Sequence, residues 1–480
     1  MRKTEEIQVR NPRTGEADYV IKPLASIAID DLSTSLRRAQ RSWLEAGVEH
    51  RCEAIVAWTE RMLSSADTVL DALATDTGRY LVSVVEVQSL RGIVARWCRE
   101  APGLLREAGH ERSATEGIGL RSQLIPYGLV GVISPWNFPF LLSVLDSIPA
   151  LIAGCAVLVK PSEVTPRFVE PLQASLAEFP ELAGVYQWIA GNGKTGAAMI
   201  DNVDAIAFTG SVATGQLVAE ACARNFIPCF LELGGKDPAI VLPSADPVKA
   251  ARIILRASAQ ATGQACQSLE RIYVDEGNYE AFVDALISMA DEVTLNYPDI
   301  HAGQIGPFIF EKQAEIVADH LKDAQGKGAL IRCGGRIETH GGGKWMRPTV
   351  VTEVNHSMKL MTEETFGPVI PVMAYGSIDE AVALANDTEF GLSAAVIGAD
   401  VDEAAAVGRR INAGAISIND GGLTTEVFDA AHDSFANSGL GLSRMGETGL
   451  MRFLRRKAII IRETEAKGIE SLEESLLKEA

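Results

Sequence analysis

A cysteine ends the stretch Thr262-Gly263-Gln264-Ala265-Cys266, between a helical segment (246–261) and the strand-like run 271–274. A thiol on such a small glycine-containing loop can approach a substrate, whereas one on a packed helix face usually cannot. Free cysteines are among the most buried residues, so Cys266 alone is as easily read as core filler. Its upstream company changes that reading. Glu232 stands 34 residues earlier in Leu231-Glu232-Leu233-Gly234-Gly235-Lys236-Asp237-Pro238. A carboxylate buried at an apolar strand end becomes a usable base near neutrality, and buried carboxylates without a task are uncommon. In Pro135-Trp136-Asn137-Phe138-Pro139 two prolines stiffen a turn, and the Asn137 amide between them can donate a hydrogen bond.

Two further clusters have the chemistry of nucleotide contacts. Lys160 and Glu163, in Lys160-Pro161-Ser162-Glu163, follow a strand and are placed to hydrogen-bond a ribose diol; a solvated surface pair is the plain alternative. Phe208-Thr209-Gly210-Ser211-Val212-Ala213-Thr214-Gly215 follows another strand and opens a helix. Gly210 permits close backbone approach, and helix-start N–H groups favour a phosphate. The three-glycine dinucleotide fingerprint is absent, and Ser211 as an ordinary helix cap explains part of the same pattern.

The elements that position these residues follow from patterning. Residues 8–30 read as short strands around the turn Asn11-Pro12-Arg13-Thr14-Gly15. From 31 to about 105 the helical spacing of Ile55, Trp58 and Met62, then of Val84, Val87 and Leu90, predicts three or four helices. Strands at 129–134, 156–159, 184–189, 205–208 and 229–233 alternate with helices at 140–151, 165–177 and 213–223. That alternation predicts a doubly wound parallel sheet, which binds dinucleotides at the carboxyl ends of its strands. A second α/β segment starts at Asp237, with helices near 278–293 and 311–325. The run 457–462 reads as a late strand, and the tail carries leucines at 472, 476 and 477, as in a short amphipathic helix.

With 480 residues, two or three domains are expected. The formal charge of −19 argues against nucleic acid and anionic membranes as partners. Seven scattered cysteines without a CxxC pair suggest a reducing compartment, and no Cys/His spacing predicts a metal site. The N-terminus has no apolar signal core. The apolar stretch 138–159 is too polar to span a bilayer. A cytoplasmic location is the expectation.

Taken in order, PWNFP, KPSE, FTGS, ELGGK, GQxC and EETFGP resemble the motifs of the aldehyde dehydrogenase superfamily over about residues 125–420, including the separation of Glu232 from Cys266. The resemblance implies a cofactor domain (1–118 and 126–235), a catalytic domain (236–425), a small β oligomerisation flap with a late loop (119–125 and 426–463) and a tail (464–480). It implies that Cys266 attacks the aldehyde, that Asn137 and the Cys266 N–H hold the oxyanion, and that Glu232 activates the hydrolytic water. Each oxyanion donor is typically worth about 10²–10³ in rate. Ser134, Pro135, Trp136, Lys160, Ser162, Glu163, Gly193 (in Gly191-Asn192-Gly193, beside the adenine), Phe208, Gly210, Ser211, Thr214, Leu233, Gly234, Glu364 and Phe366 would bind the cofactor. NAD is expected over NADP because the Glu163 carboxylate repels a 2′-phosphate.

Phe138, Leu142, Leu145, Gln260, Ala265 and Gln267 would line an aldehyde tunnel. This set is mainly apolar, with no obvious arginine, and favours a neutral, medium-sized aliphatic or aromatic aldehyde over a semialdehyde. The chain departs from the family pattern at Ala261, where Asn is usual, and through 433–445. Coenzyme A-acylating enzymes and acyl phosphate reductases generally lack the glutamate, and an inactive binding protein would have lost Cys, Glu or Asn. The exposed strands of the flap imply a homodimer or a dimer of dimers.

Overall fold

The structure, a computed structural model, describes residues 6–106 and 109–473. Four helices, Ser26–Glu45, Gly47–Ser64, Asp67–Thr77 and Tyr80–Leu104, form the expected helical region. They bury stripes at helical spacing: Ile29, Leu36 and Trp43 on the first, Ile55, Trp58 and Met62 on the second. The polar ends of two buried tryptophans are satisfied, the Trp43 indole by the Leu151 carbonyl (2.9 Å) and that of Trp58 by Ser175 (3.0 Å).

These helices share one core with a six-stranded sheet. Its order is Gly439–Leu440, Cys229–Glu232, Ala205–Thr209, Leu129–Ile133, Ala156–Lys160, Tyr186–Trp188. Five of these strands are parallel, as the alternation with helices predicted, and the first is an antiparallel edge added from the far end of the chain. A seven-stranded sheet forms the second core, parallel apart from the edge strand Leu330–Ile331; it includes Asp237–Val241, Leu269–Asp275, Val369–Tyr375 and Ser393–Ile397. Strand Leu454–Arg462 pairs in nine-residue register with Ile118–Pro126, which also pairs with Glu111–Arg112.

Several expectations needed correction. Helix, not strand, begins at Ser26, because the strand signal belongs only to Ile7–Arg10 and Ala17–Ile21. The strand expected at 184–189 shrinks to Tyr186–Trp188, since Pro180 starts a helical turn that runs to Val185. The helix expected at 165–177 opens only at Val169, after Pro166. The late strand expected at 457–462 starts earlier, at Leu454, and lies along Ile118–Pro126 of its own chain. The tail shows one exposed 3₁₀ turn, Ile469–Leu472; Leu476 and Leu477 lie outside the described residues.

Candidate active site

Four parallel strands deliver the first half of the site at their carboxyl ends. Ser134 to Asn137 follow Leu129–Ile133, Lys160 ends the next strand, Gly210 and Ser211 follow Ala205–Thr209, and Glu232 ends Cys229–Glu232. The second half comes from the other core. Helix Pro247–Ala259 runs into a 3₁₀ turn, Gln260–Gly263, that carries the chain to Cys266.

That turn is unusual. Ala261 (φ 53°) and Thr262 (φ 64°) both lie in the left-handed region, followed by Gly263 (φ 67°). A β-branched residue there is a strained outlier that its surroundings must enforce. At Gly263 an added Cβ would lie 2.4 Å from the Gly367 carbonyl, so only glycine fits. The enforcing contacts are buried and distant in sequence. Thr262 donates to the Gly306 carbonyl (3.1 Å), and the Gln264 side chain bonds Pro307 O (3.1 Å) and the Ile309 N–H (3.0 Å). Arg79, which sequence reasoning missed, donates to the Ala261 carbonyl (3.1 Å) and, through a second short bond, to the Asn137 carbonyl. One arginine thus ties the nucleophile loop to the asparagine turn. Glu86, about two helical turns onward, accepts the N–H groups of Phe140 and Leu141 (3.1 and 3.0 Å) at the start of helix Leu141–Ala153. Nothing in the local pattern marks either residue.

The Asn137 amide donates to the Gln264 carbonyl (3.0 Å), which places it against the Cys266 loop and uses only one of its two N–H groups. Burial, then the acids Glu364 and Asp237, pushes the Cys266 thiol up to about 12, against a lowering contribution from Arg444. Glu364 is itself pushed up to about 8, mainly by burial. It accepts the Gly235 N–H (3.1 Å). Glu232, expected to be buried, is only half-buried. Both of its oxygens are engaged by residues 434–444: Ser434 at 2.7 Å, Ser443 at 3.4 Å and the Arg444 N–H at 3.5 Å.

Cys266, Glu232 and all six expected tunnel residues (Phe138, Leu142, Leu145, Gln260, Ala265 and Gln267) line a single cavity of about 800 Å³. The expectation of a wall without arginine is overturned: Arg79, Arg252, Arg256 and Arg444 also line it. They come from helices and from the late segment, far from the motifs. Arg256 pairs with Asp420 and Glu426, and Arg444 with Asp146. Arg252 is exposed and has no hydrogen-bonded partner among the described residues.

The opposite side of the strand ends suits a dinucleotide. Ser211 caps helix Val212–Arg224 by accepting from the Thr214 N–H (3.4 Å), both residues being exposed. The helix's remaining first-turn N–H groups have no intrahelical acceptor and point where a phosphate is favoured. The buried Lys160 ammonium lies 3.4 Å from the Glu163 carboxylate and donates to the Gly191 carbonyl (2.8 Å). Ser162, also buried, accepts from the Val164 N–H, and Asn192 caps the helix that begins at Gly193. Trp136 and Phe366 meet edge to face with centroids 5.4 Å apart. Phe208 and Leu233 are buried, and the Leu233 N–H bonds the Ser438 carbonyl (2.8 Å). An acid and a buried ammonium at one strand end, and a helix start on the far side of the intervening strand Leu129–Ile133, fit the two riboses and pyrophosphate of such a cofactor. No group of three or more metal-ligating side chains occurs among the described residues. Likewise, no helix there is long and apolar enough to cross a membrane.

Comparison with known proteins agrees with this geometry. The aldehyde dehydrogenase family model matches residues 1–459. A solved structure from Anabaena variabilis, PutA, provisionally assigned as an aldehyde dehydrogenase, is 52% identical, with a TM-score of 0.95 over 97% of this chain and 99% of that one. A 4,4'-diapolycopene aldehyde oxidase of Methylomonas sp is 35% identical over 81% of this chain and 73% of its own length. A protein of Mycobacterium ulcerans provisionally assigned as an NADP-dependent succinate-semialdehyde dehydrogenase is 32% identical over 95% of this chain and 89% of its own. The chain belongs to the aldehyde dehydrogenase family, oxidoreductases that act on aldehydes with NAD or NADP.

Proposed function

We propose that this enzyme oxidises neutral, predominantly apolar aldehydes to carboxylic acids through a covalent intermediate on Cys266, with NAD as the preferred acceptor. The observation that carries the reading is one cavity lined at once by Cys266, Glu232 and the apolar side chains of Phe138, Leu142 and Leu145. The Cys266 thiol gives its proton to water and the sulfur bonds to the aldehyde carbon. The Asn137 amide and the Cys266 N–H stabilise the oxygen as it gains charge. A dinucleotide held at the neighbouring strand ends would supply the hydride acceptor, and loss of hydride from that carbon would leave a thioester on Cys266. Glu232 takes a proton from a water whose oxygen bonds to the acyl carbon, and the carbon–sulfur bond breaks to free the acid and the thiolate.

On the cofactor side, Ser134, Pro135, Trp136, Lys160, Ser162, Glu163, Gly193, Phe208, Gly210, Ser211, Thr214, Leu233, Gly234, Glu364 and Phe366 would surround the dinucleotide. Glu163 would accept the adenosine ribose hydroxyls and repel a 2′-phosphate. Residues 1–118 and 126–235 would make the cofactor domain, and 236–425 the catalytic one. Seven free thiols suit a reducing cytoplasm. The free edge of Leu454–Arg462, with Ile460 69% exposed, suits pairing in a homodimer or dimer of dimers.

A panel of aldehydes followed by reduced-cofactor absorbance tests the reading. Turnover should favour uncharged alkyl and aryl aldehydes with NAD, and Cys266→Ser should abolish it. Retained turnover in Cys266→Ser would sink the covalent mechanism. A second reading, an aldehyde bearing a distal carboxylate, is favoured by Arg252, which has no partner among the described residues; there Arg252→Leu would raise KM for the acidic aldehyde alone.

A further inference from the structure

The segment 434–444, where this chain departs from the family pattern, is built directly onto Glu232. Its two-residue strand Gly439–Leu440 adds an antiparallel edge to the six-stranded sheet, with Gly439 opposite Glu232 and Leu440 opposite Leu231. The segment is anchored from beneath. The buried Arg444 guanidinium bonds Asp146 (3.3 Å) and Thr209, and Asp146 also holds the buried Arg452. On this platform Ser434 Oγ lies 2.7 Å from Glu232 Oε2, while Ser443 Oγ and the Arg444 N–H reach Oε1 at 3.4 and 3.5 Å.

We infer that Ser434, assisted by Ser443, is a positioning residue for the hydrolytic half of the reaction, acting through Glu232. This rests on the assignment of Glu232 as the base that activates water. A base in this role alternates between a carboxylate, which only accepts hydrogen bonds, and a carboxylic acid, which must also donate one. A hydroxyl serves both states by rotating, donating to the first and accepting from the second. Backbone N–H groups can only donate, so Arg444 N–H cannot follow the change. Ser434 therefore keeps the carboxyl group in one place through the proton transfer, and the shorter contact marks it as the principal partner. Acylation of Cys266 does not use Glu232 in this scheme, so the two halves of the reaction should separate.

The experiment compares the parent enzyme with Ser434→Ala, Ser434→Thr and Ser443→Ala. It measures the pre-steady-state burst of reduced cofactor, steady-state turnover, and the acyl adduct on Cys266 by mass spectrometry of quenched enzyme. Ser434→Ala should lower turnover about tenfold, a hydrogen bond to a charged group being at stake, with the burst rate within about twofold of the parent's. The acyl adduct should accumulate. Ser434→Thr, which keeps the hydroxyl, should recover most of the turnover, and Ser443→Ala should show a smaller loss. Burst and turnover falling together, or neither changing, would overturn the inference. A parent enzyme that forms no acyl adduct would overturn the Cys266 mechanism beneath it, and the two failures are distinct.

Discussion

The Cys266 loop is locked by buried partners from several elements, whereas the Glu232 carboxylate rests on hydroxyls from a segment whose own strands, Phe435–Ala436 and Gly439–Leu440, are two residues long. Three successive left-handed residues, the Arg79 clamp and the Gln264 bonds leave the thiol little freedom. Glu232 is half-buried and held by contacts of graded length. Under the proposed mechanism, the difference matches what each group must do. A nucleophile needs one fixed approach to the carbonyl carbon. The base must let cofactor and water share its side of the cavity, so a lighter hold serves it better.

Three measurements sharpen or break this contrast. The largest effect concerns the half-buried thiol. With Cys266 pushed up to about 12, the thiolate fraction in the free enzyme rises about tenfold for each pH unit below that value. Iodoacetamide labelling of Cys266 followed by mass spectrometry should therefore speed up about a hundredfold from pH 7 to pH 9. A plateau below pH 9 would mean that the loop opens to water more than its contacts imply.

Next comes the clamp. Arg79→Leu removes the donor to two buried carbonyls and the cation that faces Glu86, which burial pushes up to about 7. Orphaned buried acceptors cost about 1–3 kcal/mol each, so the enzyme should lose about 3 kcal/mol in urea unfolding. Its acylation burst should slow as the Asn137 turn and the Cys266 loop come apart. Full stability in this variant would show that the loop is held by its other contacts alone.

The smallest effect is at Ala261. A left-handed alanine costs about 1–2 kcal/mol, and glycine returns about 0.4–1 kcal/mol through the unfolded chain. Ala261→Gly should thus stabilise the protein by about 0.5 kcal/mol, read from the denaturation midpoint. A loss instead would mean that the buried methyl group packs well enough to outweigh its strain.

Much of the site was legible because its residues sit in short strand–turn–helix units. Lys160 and Glu232 end a strand, and Ser211 and Asn137 lie on the turns directly after one, so locating the strands located them. The tunnel residues were legible through family resemblance, and all six reach one cavity. Arg79 was not: it lies 182 residues from Ala261 and precedes its helix like any surface arginine. Ser434 and Ser443, 202 and 211 residues from Glu232, stand in a stretch with no periodicity to read.

By itself the sequence determined the first parallel sheet, the α/β character of the second segment and the helices before them, and it singled out the thiol, the acid and the amide proposed for the site. These depend on patterns within a few residues, where apolar spacing and turn chemistry act. Only the tertiary structure decided which charges are buried and what they hold: Arg79 across two carbonyls, Arg444 and Arg452 on Asp146, and the serines on Glu232. Desolvation and hydrogen-bond pairing depend on which distant surfaces meet, and no local spacing encodes that.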